Sequence, residues 1–192
     1  MSELILIRHA ETDMAGTFCG HSNPDLNQAG HLQIKELLKS IRNEDICAVY
    51  TSDLRRAHAT AKAIAEMFAV GCHVSAALRE INFGQWEGLA WDEIERKDPI
   101  YSRRWVTEYP DLPAPGGEIL CEFERRALNQ VEQLSAEAVR CNRSIAVVTH
   151  AGVLRTILTK VRGLSEELAW QQTKTFCSVI RHATAAPVLA QR

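Results

Sequence analysis

The chain has 192 residues, of which 46% are hydrophobic and 24% charged, and its formal net charge is -2. This composition predicts one globular domain, 1–192, with a substantial core, and it excludes a fibre or a long disordered tail. Acidic and basic residues are mixed without long runs of one sign, so we expect no nucleic-acid partner and no membrane partner. A phosphorylated small molecule is compatible, because it needs only a local basic pocket.

The six cysteines form no CxxC pair and are too sparse for a disulfide-stapled secreted scaffold. We interpret them as free thiols in a reducing cytoplasm. The amino terminus lacks the basic region and the cleavage site of a signal peptide, and no segment approaches the roughly 20 apolar residues of a membrane span. We therefore expect a cytoplasmic protein, and we leave its oligomeric state open, with a homodimer among the alternatives.

Three short apolar runs, rich in β-branched residues, predict strands that are buried on both faces of a parallel sheet. In chain order they are 4–7, 46–50 and 145–148. Helical periodicity predicts helices between and after them, at 28–41, 54–68, 118–139 and 153–161. Alternating strands and helices predict an α/β layered domain with a mostly parallel sheet and right-handed crossovers.

Two further local predictions concern the second helix and the middle of the chain. Ser52 or Asp53 stands where an N-cap of the helix at 54–68 is expected. Segment 86–115 is rich in tryptophan, tyrosine and proline but has no clear strand pattern. We interpret it as a partly helical, lid-like insertion at one edge of the site, within the same domain.

The ends of the three predicted strands carry the chemistry-bearing residues. Ligands of open α/β sheets bind outside the carboxyl ends of the strands. Arg8 and His9 follow the first strand, Arg55 and Arg56 follow the second, and His150 follows the third. Arginine forks match phosphate oxygens, a neutral imidazole can attack phosphorus, and a helix opening after His150 would favour an anion. This rim suits phosphate chemistry better than carbonyl chemistry.

Glu80 is the candidate proton donor for the departing alcohol. It lies in 78–88, where two glycines and apolar aromatic residues indicate a tight loop in a partly dry setting. Other interpretations stay open on these grounds alone: His9 and His150 could be structural, Glu11 could cap a turn, and Arg55 could be a solvated helix residue. Surface or packing positions are expected for the other histidines, although His21 could line the pocket: His21, His31, His58, His73 and His182.

Metal binding is the rival use of histidine and carboxylate. The sequence contains no HExxH, no HxH and no Cys/His quartet at ligand spacing, so we expect no metal and no cofactor. A metal site assembled from distant residues is left open. The aromatic residues of the middle segment are expected to pack a lid, since no basic stripe accompanies them.

Four segments, in order, resemble the motifs of the histidine phosphatase (phosphoglycerate mutase-like) superfamily, and together they cover most of the chain. Segment 6–12 resembles its RHG nucleophile motif, with Ala10 in place of the usual glycine. Segment 52–61 resembles S-x-L-x-R-A-x-x-T-A, which singles out Arg56 over Arg55. Segment 78–88 is similar to the proton-donor region and 147–155 to the second-histidine motif. The resemblance implies a three-layer α/β/α sandwich.

The resemblance also implies a two-step mechanism without metal. His9 attacks phosphorus, and Arg8, Arg56 and His150 hold the phosphoryl oxygens. Glu80 protonates the departing alcohol and then activates the water that hydrolyses the phosphohistidine. This is the chemistry of a metal-independent phosphomonoesterase.

The departures from the family pattern bear on the substrate. An Asn that many members carry near Ala15 is missing, and the loop 15–21 is short. This loop and the element 115–118 resemble the α-ribazole-5'-phosphate phosphatases of cobalamin assembly more than glycolytic mutases, although Ile119 replaces the usual Ser. The pocket is expected to be lined by Phe18, His21, Trp86, Trp105 and Tyr109.

Two other functions remain as alternatives. A phosphoglycerate mutase-type phosphotransferase would use the same phosphohistidine, and Arg103-Arg104 could mimic its substrate-binding arginine pair. A catalytically idle relative could use the same fold as a phosphate-ligand binding module.

Overall fold

Five strands form one mixed sheet in the computed structural model, which describes residues 2–184. The strand order across the sheet is β3-β2-β4-β1-β5. β1, β2, β3 and β4 pair in parallel, whereas β5 pairs antiparallel with β1 at one edge. The strands are β1 (Glu3–Arg8), β2 (Ile46–Thr51), β3 (Gly71–Val74), β4 (Ser144–Thr149) and β5 (Val179–Ala183).

Seven α-helices connect and flank these strands within the described residues. α6 continues as a π-helical turn, Ile157–Val161. The helices are α1 (Gln28–Ile41), α2 (Arg55–Phe68), α3 (Trp91–Lys97), α4 (Pro99–Glu108), α5 (Leu120–Cys141), α6 (Ala151–Thr156) and α7 (Glu166–Thr173).

The interior strand β1 has an uninterrupted apolar run because helices cover both faces of the sheet. Its residues 4–7 are all fully buried. Leu4 and Leu6 pack into one hydrophobic cluster with α5, α6 and α7, whereas Ile5 and Ile7 pack into another with α1 and α2. Successive side chains of a strand point to opposite faces, so an uninterrupted apolar run is required here. The result is the three-layer α/β/α sandwich that the resemblance implied.

The predictions missed three elements that bury little surface. β3 is a four-residue edge strand with three exposed residues, and β5 is an edge strand in which only Ile180 is buried. In α7 only Ala169 and Thr173 are buried, so no apolar stripe marks it in the sequence. The three strands and four helices that the sequence predicted are all present, with ends shifted by two residues at most when the π-helical turn is counted with α6. 

The segment 86–115 contains α3 and α4 and no strand. It has its own small hydrophobic cluster, in which Trp86, Ile94 and Ala114 are buried and Phe18 packs against them. The segment is therefore partly helical, as predicted, while its action as a lid remains a prediction. Within residues 2–184, no helix is both long enough and apolar enough to cross a membrane.

Candidate active site

The site lies at the carboxyl ends of β1, β2 and β4. His9 directly follows β1, and His150 follows β4 and is the N-cap residue of α6. The centroids of the two imidazole rings are 5.0 Å apart. Both histidines are buried, with 7% and 0% of their surface exposed. The predicted convergence of strand-end residues on one rim is present in the structure.

His9 is held as a neutral imidazole whose Nε2 carries no proton. Its Nδ1 donates to the carbonyl of Ala10 at 2.7 Å, which leaves Nε2 unprotonated. Arg56 Nε donates to this Nε2 at 3.2 Å. Burial, and then the positive charge of Arg56, hold the pKa of His9 well below its ordinary value. An unprotonated Nε2 is what a nucleophile toward phosphorus requires.

His150 is held by a buried hydrogen bond between its Nε2 and Ser52. The Ser52 hydroxyl oxygen accepts from the backbone N–H of Leu54 at 3.3 Å and lies 2.8 Å from His150 Nε2. When the hydroxyl donates to Nε2, the ring proton lies on Nδ1, and this is the tautomer that can donate to an anion. That Nδ1 is buried and has no partner among the described residues. Burial and the neighbouring His9 lower the pKa of His150 far below its ordinary value.

Arg8 also presents an unpaired donor to this site. Its Nη1 donates to the carbonyls of Thr173 and Lys174 at 3.0 and 2.5 Å, and its guanidinium lies 4.0 Å above the ring centroid of Phe176. The Nε is buried and has no partner within residues 2–184. Buried polar groups are nearly always hydrogen-bonded, so Arg8 Nε and His150 Nδ1 together indicate an anion-accepting site.

Arg56 is fully buried and fixes the loop opposite His9. Its Nη atoms donate to the carbonyls of Cys19, Gly20 and Ser22 at 3.1, 2.7 and 2.6 Å. Arg55, in contrast, is exposed and pairs with Asp25 at 3.2 Å. The resemblance to the family motif therefore selected the arginine that lies beside His9.

Glu80 is buried, with 8% of its surface exposed, and borders the same small cavity as His9. Its Oε1 accepts from the backbone N–H of Ile81 at 3.0 Å, and its Oε2 accepts from that of Gly152 at 2.9 Å. Its carbonyl accepts from Arg126 at 2.9 Å and from His21 Nε2 at 3.1 Å. Hydrogen bonds to the carboxylate and to the backbone carbonyl thus both hold Glu80 in place.

Arg126, on α5, is a supporting residue that the sequence analysis missed. It donates to the carbonyls of Ala77, Arg79 and Glu80. It also forms a two-point ion pair with Glu118, at 2.7 and 2.8 Å. The Arg126 side chain therefore fixes the backbone segment that leads to Glu80. No local pattern in the sequence distinguishes Arg126 from its exposed neighbour Arg125.

Glu87 is a second supporting residue, and the sequence did not predict its role. Its carboxylate accepts from the backbone of Gly20, His21, Ser22 and Phe83 and from the Ser22 hydroxyl. Burial disfavours its charge, but these hydrogen bonds outweigh burial and lower its pKa. Glu87 therefore shapes the loop whose carbonyls hold Arg56.

Two adjoining cavities open at this edge of the sheet. The smaller, of about 120 Å³, is lined by Arg8, His9 and Glu80. The larger, of about 670 Å³, is lined mainly by aromatic and apolar side chains. The two share Phe83, and Ala151 of one adjoins Gly152 of the other. The larger cavity is lined among others by Phe18, Phe83, Trp105, Tyr109, Phe123 and Arg155.

Several predicted side-chain positions need correction. Trp86 lines neither cavity, because it is buried beneath Phe18 and Trp105, with ring centroids 5.7 and 5.2 Å away. His21 lines neither cavity, because its ring is turned toward the Glu80 carbonyl. Phe18, Trp105 and Tyr109 do line the larger cavity.

The N-cap prediction for α2 is also wrong. Leu54 is the N-cap residue and its own side chain makes no capping hydrogen bond; instead Asn23 Oδ1 accepts from the backbone N–H of Arg55 at 2.7 Å. Ser52 is engaged by His150, and Asp53 accepts from Arg79 Nε at 2.6 Å. Glu11 is structural, since its carboxylate accepts from Asn27 and Gln33 at 3.1 and 3.0 Å.

Other candidates lie elsewhere. His31, His58 and His73 are exposed, as expected. Arg103 and Arg104 are exposed on α4 and line neither cavity, and Arg104 pairs with Glu108 at 2.8 Å. In the part of the chain that the structure describes, no cluster of three or more His, Cys, Asp and Glu side chains could hold a metal ion.

A buried pair of histidines and a pair of arginines at the strand ends of an α/β sandwich define a phosphoryl-transfer site. The sequence profile of the Histidine phosphatase superfamily (branch 1) matches residues 4–190, so the chain belongs to this superfamily. It is a phosphatase of the phosphohistidine type.

The relatives that the chain matches cover most of its length. It is 33% identical over 166 residues to a "Metal-independent phosphoserine phosphatase" of Arabidopsis thaliana, covering 84% of this chain and 69% of the plant protein. It is 29% identical over 169 residues to an "Adenosylcobalamin/alpha-ribazole phosphatase" of Salmonella typhimurium, covering 87% and 83%. The structure of "Bacillus stearothermophilus YhfR" matches with a TM-score of 0.81 and 26% identity, over 100% of this chain and 98% of the other.

Proposed function

We propose that this phosphatase hydrolyses a phosphate monoester in two steps, with His9 Nε2 as the nucleophile. The observation that carries the proposal is the unprotonated Nε2 of His9, a residue that lines the same cavity as Arg8 and Glu80. In the first step Nε2 bonds to phosphorus and the ester oxygen leaves. In the second step water attacks the phosphohistidine and releases inorganic phosphate.

The unpaired donors of the site would neutralise the charge that develops on the phosphoryl group. Arg8 Nε and His150 Nδ1 are buried and unpartnered within residues 2–184, and Arg56 Nε donates to His9 Nε2 itself. Donors that are already oriented in a buried site stabilise a transition state without reorganisation. Arg8 and Arg56 supply the positive charge that a metal ion supplies in other phosphatases.

Glu80 would serve first as acid and then as base. Its two oxygens are held by Ile81 and Gly152 on the side where the two cavities meet. A leaving alcohol that extends into the larger cavity would pass this carboxyl group. The same group could then take a proton from the attacking water.

The substrate supported best is an ester whose alcohol has a large aromatic part, with α-ribazole 5'-phosphate as the specific candidate. The larger cavity has a volume of about 670 Å³ and is lined by aromatic side chains such as Phe18, Trp105 and Tyr109. Aromatic and apolar linings favour ligands with matching apolar surface. Phosphoserine, the substrate in the name of the plant relative, would leave most of this volume unused.

The test measures phosphate release in the presence of a chelator from α-ribazole 5'-phosphate, phosphoserine, 3-phosphoglycerate and a nucleoside monophosphate. We expect release with the highest kcat/KM for α-ribazole 5'-phosphate, no release by His9→Ala, and full release by a control variant of an exposed histidine, His58→Ala. A higher kcat/KM for phosphoserine would overturn the substrate assignment. Release that survives in His9→Ala would overturn the mechanism.

The alternatives differ in what the same experiment would show. A mutase would turn 3-phosphoglycerate into its isomer without net phosphate release, and the exposed positions of Arg103 and Arg104 give that alternative no substrate-binding pair. An idle binding module would not incorporate phosphate at His9. A cytoplasmic location and a small-molecule substrate without nucleic-acid or membrane partners are part of the proposal, and sedimentation would test for a homodimer.

A further inference from the structure

Two cysteines that are far apart in the sequence lie in contact in the fold. The Sγ atoms of Cys47 and Cys141 are 3.4 Å apart, although 94 positions separate the two residues. Cys47 is the second residue of β2, and Cys141 is the last residue of α5. Within residues 2–184, no other cysteine has a second thiol as its hydrogen-bond partner. No CxxC pattern reveals this pair, because it forms only through the tertiary structure.

The geometry of the pair is close to that of a disulfide. An S–S bond is about 2.05 Å long, so the two sulfur atoms must approach by about 1.4 Å. Cys141 ends its helix, and the following Asn142 has left-handed backbone angles, with φ of 51°. A residue at the end of a helix has fewer backbone constraints than one in its interior, so a side-chain rotation with a small shift of the last turn can close the gap.

The two thiols differ in accessibility. Cys141 is exposed, and its thiol donates to the Glu137 carbonyl at 2.9 Å. Cys47 is half-buried behind it, and burial together with the neighbouring Cys141 raises the pKa of Cys47 to about 11. An oxidant from solution would therefore meet Cys141 first, and Cys47 is placed to react second.

We propose that Cys47 and Cys141 form a redox modification site, at which a hydroperoxide converts the two thiols into a disulfide that a thiol reductant reopens. The site is separate from the phosphatase centre. Cys47 lies at the amino end of β2, whereas Ser52 and Arg56 follow its carboxyl end. The cysteine pair and the phosphatase centre are therefore at opposite ends of this strand.

The reaction balances with one equivalent of hydroperoxide. The Cys141 sulfur, as its thiolate, bonds to one peroxide oxygen, the O–O bond breaks, and water (or an alcohol) leaves, which gives a sulfenic acid. The Cys47 sulfur then loses its proton and bonds to the Cys141 sulfur, and the hydroxyl group leaves as a second water. The two sulfur atoms together lose two electrons, which the peroxide takes up.

The expected consequence is greater stability with unchanged activity. The bond would close a long loop that includes most of the central chain, and cross-links stabilise more when the loop is longer. We expect the oxidised protein to melt about 5–10 °C above the reduced protein. The phosphatase kcat should be the same in both forms.

The experiment treats the full-length protein with hydrogen peroxide, removes the excess with catalase, and measures melting temperature, activity and peptide masses without reductant. Supporting results are a Cys47–Cys141 peptide pair lighter by two hydrogen atoms, the higher melting temperature, and the reversal of both by dithiothreitol. Cys47→Ser and Cys141→Ser should lose the increase, whereas Cys121→Ser, an exposed thiol in the first turn of α5, should keep it.

Three results would overturn the proposal. One is a sulfinic or sulfonic acid at Cys141 with no cross-link. Another is a disulfide between two molecules, detected as a dimer on non-reducing gels. The third is an equal melting increase in Cys141→Ser, which would assign the effect to other residues. None of these readouts depends on the substrate, because any phosphomonoester that the enzyme cleaves can report its activity.

Discussion

The backbone N–H of Gly152 donates to Glu80 Oε2 at 2.9 Å, and a Cβ atom at position 152 would lie only 2.1 Å from Glu80 Oε1. The glycine at the start of α6 is thus required by the carboxylate that packs against it. We predict that Gly152→Ala displaces the Glu80 carboxyl group and lowers kcat by about 100-fold, since misplacing a catalytic group by about 1 Å has effects of this size. The melting temperature should fall by only a few degrees, because the far end of Glu80 can move.

Steady-state kinetics and thermal melting check this prediction. The double variant Gly152→Ala with Glu80→Gln should be no slower than Glu80→Gln alone, since both changes act through one group. Additive losses would show that Gly152 acts through another contact.

Replacing Glu80 by glutamine tests the proton donor directly. Glu80→Gln keeps the shape of the side chain but cannot deliver a proton, so we expect about 100- to 1,000-fold slower cleavage of alkyl phosphates. Aryl phosphates such as p-nitrophenyl phosphate should lose far less, because their leaving group needs no proton. The measurement is kcat/KM for both ester types, and equal losses would contradict the role of Glu80.

Removing the Ser52 hydroxyl should weaken phosphate binding through His150. Without it the ring can place its proton on Nε2, and Nδ1 then no longer donates into the site. We predict that Ser52→Ala raises the inhibition constant of inorganic phosphate about tenfold, which is the size of one lost hydrogen bond. The adjacent variant Asp53→Ala removes only the exposed pair with Arg79 and serves as the control. Unchanged phosphate inhibition in Ser52→Ala would show that Ser52 does not set the tautomer of His150.

Arg126 should matter through position and not through charge. Arg126→Lys keeps the charge but loses the fork that binds Glu118 and the three carbonyls, so the Glu80 loop is no longer fixed. We predict a kcat about 10- to 100-fold lower, with inorganic phosphate inhibition unchanged. Arg125→Lys, which changes an exposed neighbour on the same helix, should match the native protein. An unchanged kcat together with weaker inhibition by inorganic phosphate would refute the positioning role.

The two buried histidines make stability depend on pH below the ordinary histidine pKa of about 6.5. Burial lowers the pKa of both His9 and His150 in the folded protein, so below this pH the unfolded chain binds more protons than the folded one. The free energy of unfolding should therefore be largest above pH 6.5 and fall as the pH decreases from there, by up to about 1.4 kcal/mol per pH unit for each histidine.

Urea unfolding at pH values between about 5.0 and 7.5 measures this slope while most carboxylates stay ionised. His150→Gln should make the slope shallower by up to one proton. A free energy of unfolding that is constant across this range would contradict the prediction for both histidines.

The sequence predicted those parts of the fold that are buried on both sides. Residues 4–7 form an uninterrupted apolar run because both faces of β1 are covered, whereas β3 and β5 are edge strands that carry no such run. The candidate nucleophile and the two arginines were likewise found because they directly follow strands or match a motif. The expected aromatic lining was only partly right, since the sequence does not distinguish Trp86, which is buried under other rings, from Trp105, which faces the cavity.

The supporting contacts could not be predicted, because they join positions far apart in the chain. Ser52 and His150 are separated by 98 positions, and Arg126 and Glu80 by 46. Serine before a helix is usually a cap, and the local pattern gave no reason to expect a histidine as its partner. The parallel pairing of β2 with β4 places Ser52 beside His150, and the packing of α5 places Arg126 beside the Glu80 loop.

The same long-range pairing has a consequence for how activity is acquired. His9 meets Arg56 across 47 positions, and Glu80 meets Gly152 across 72. Each contact closes a long stretch of chain, a step that is slow and that contributes nothing until the intervening elements are in place. Phosphatase activity should therefore return only in the last phase of refolding, after helical signals have recovered, and a fragment that lacks β4 should have none. Phosphatase activity would therefore report that the whole fold has formed.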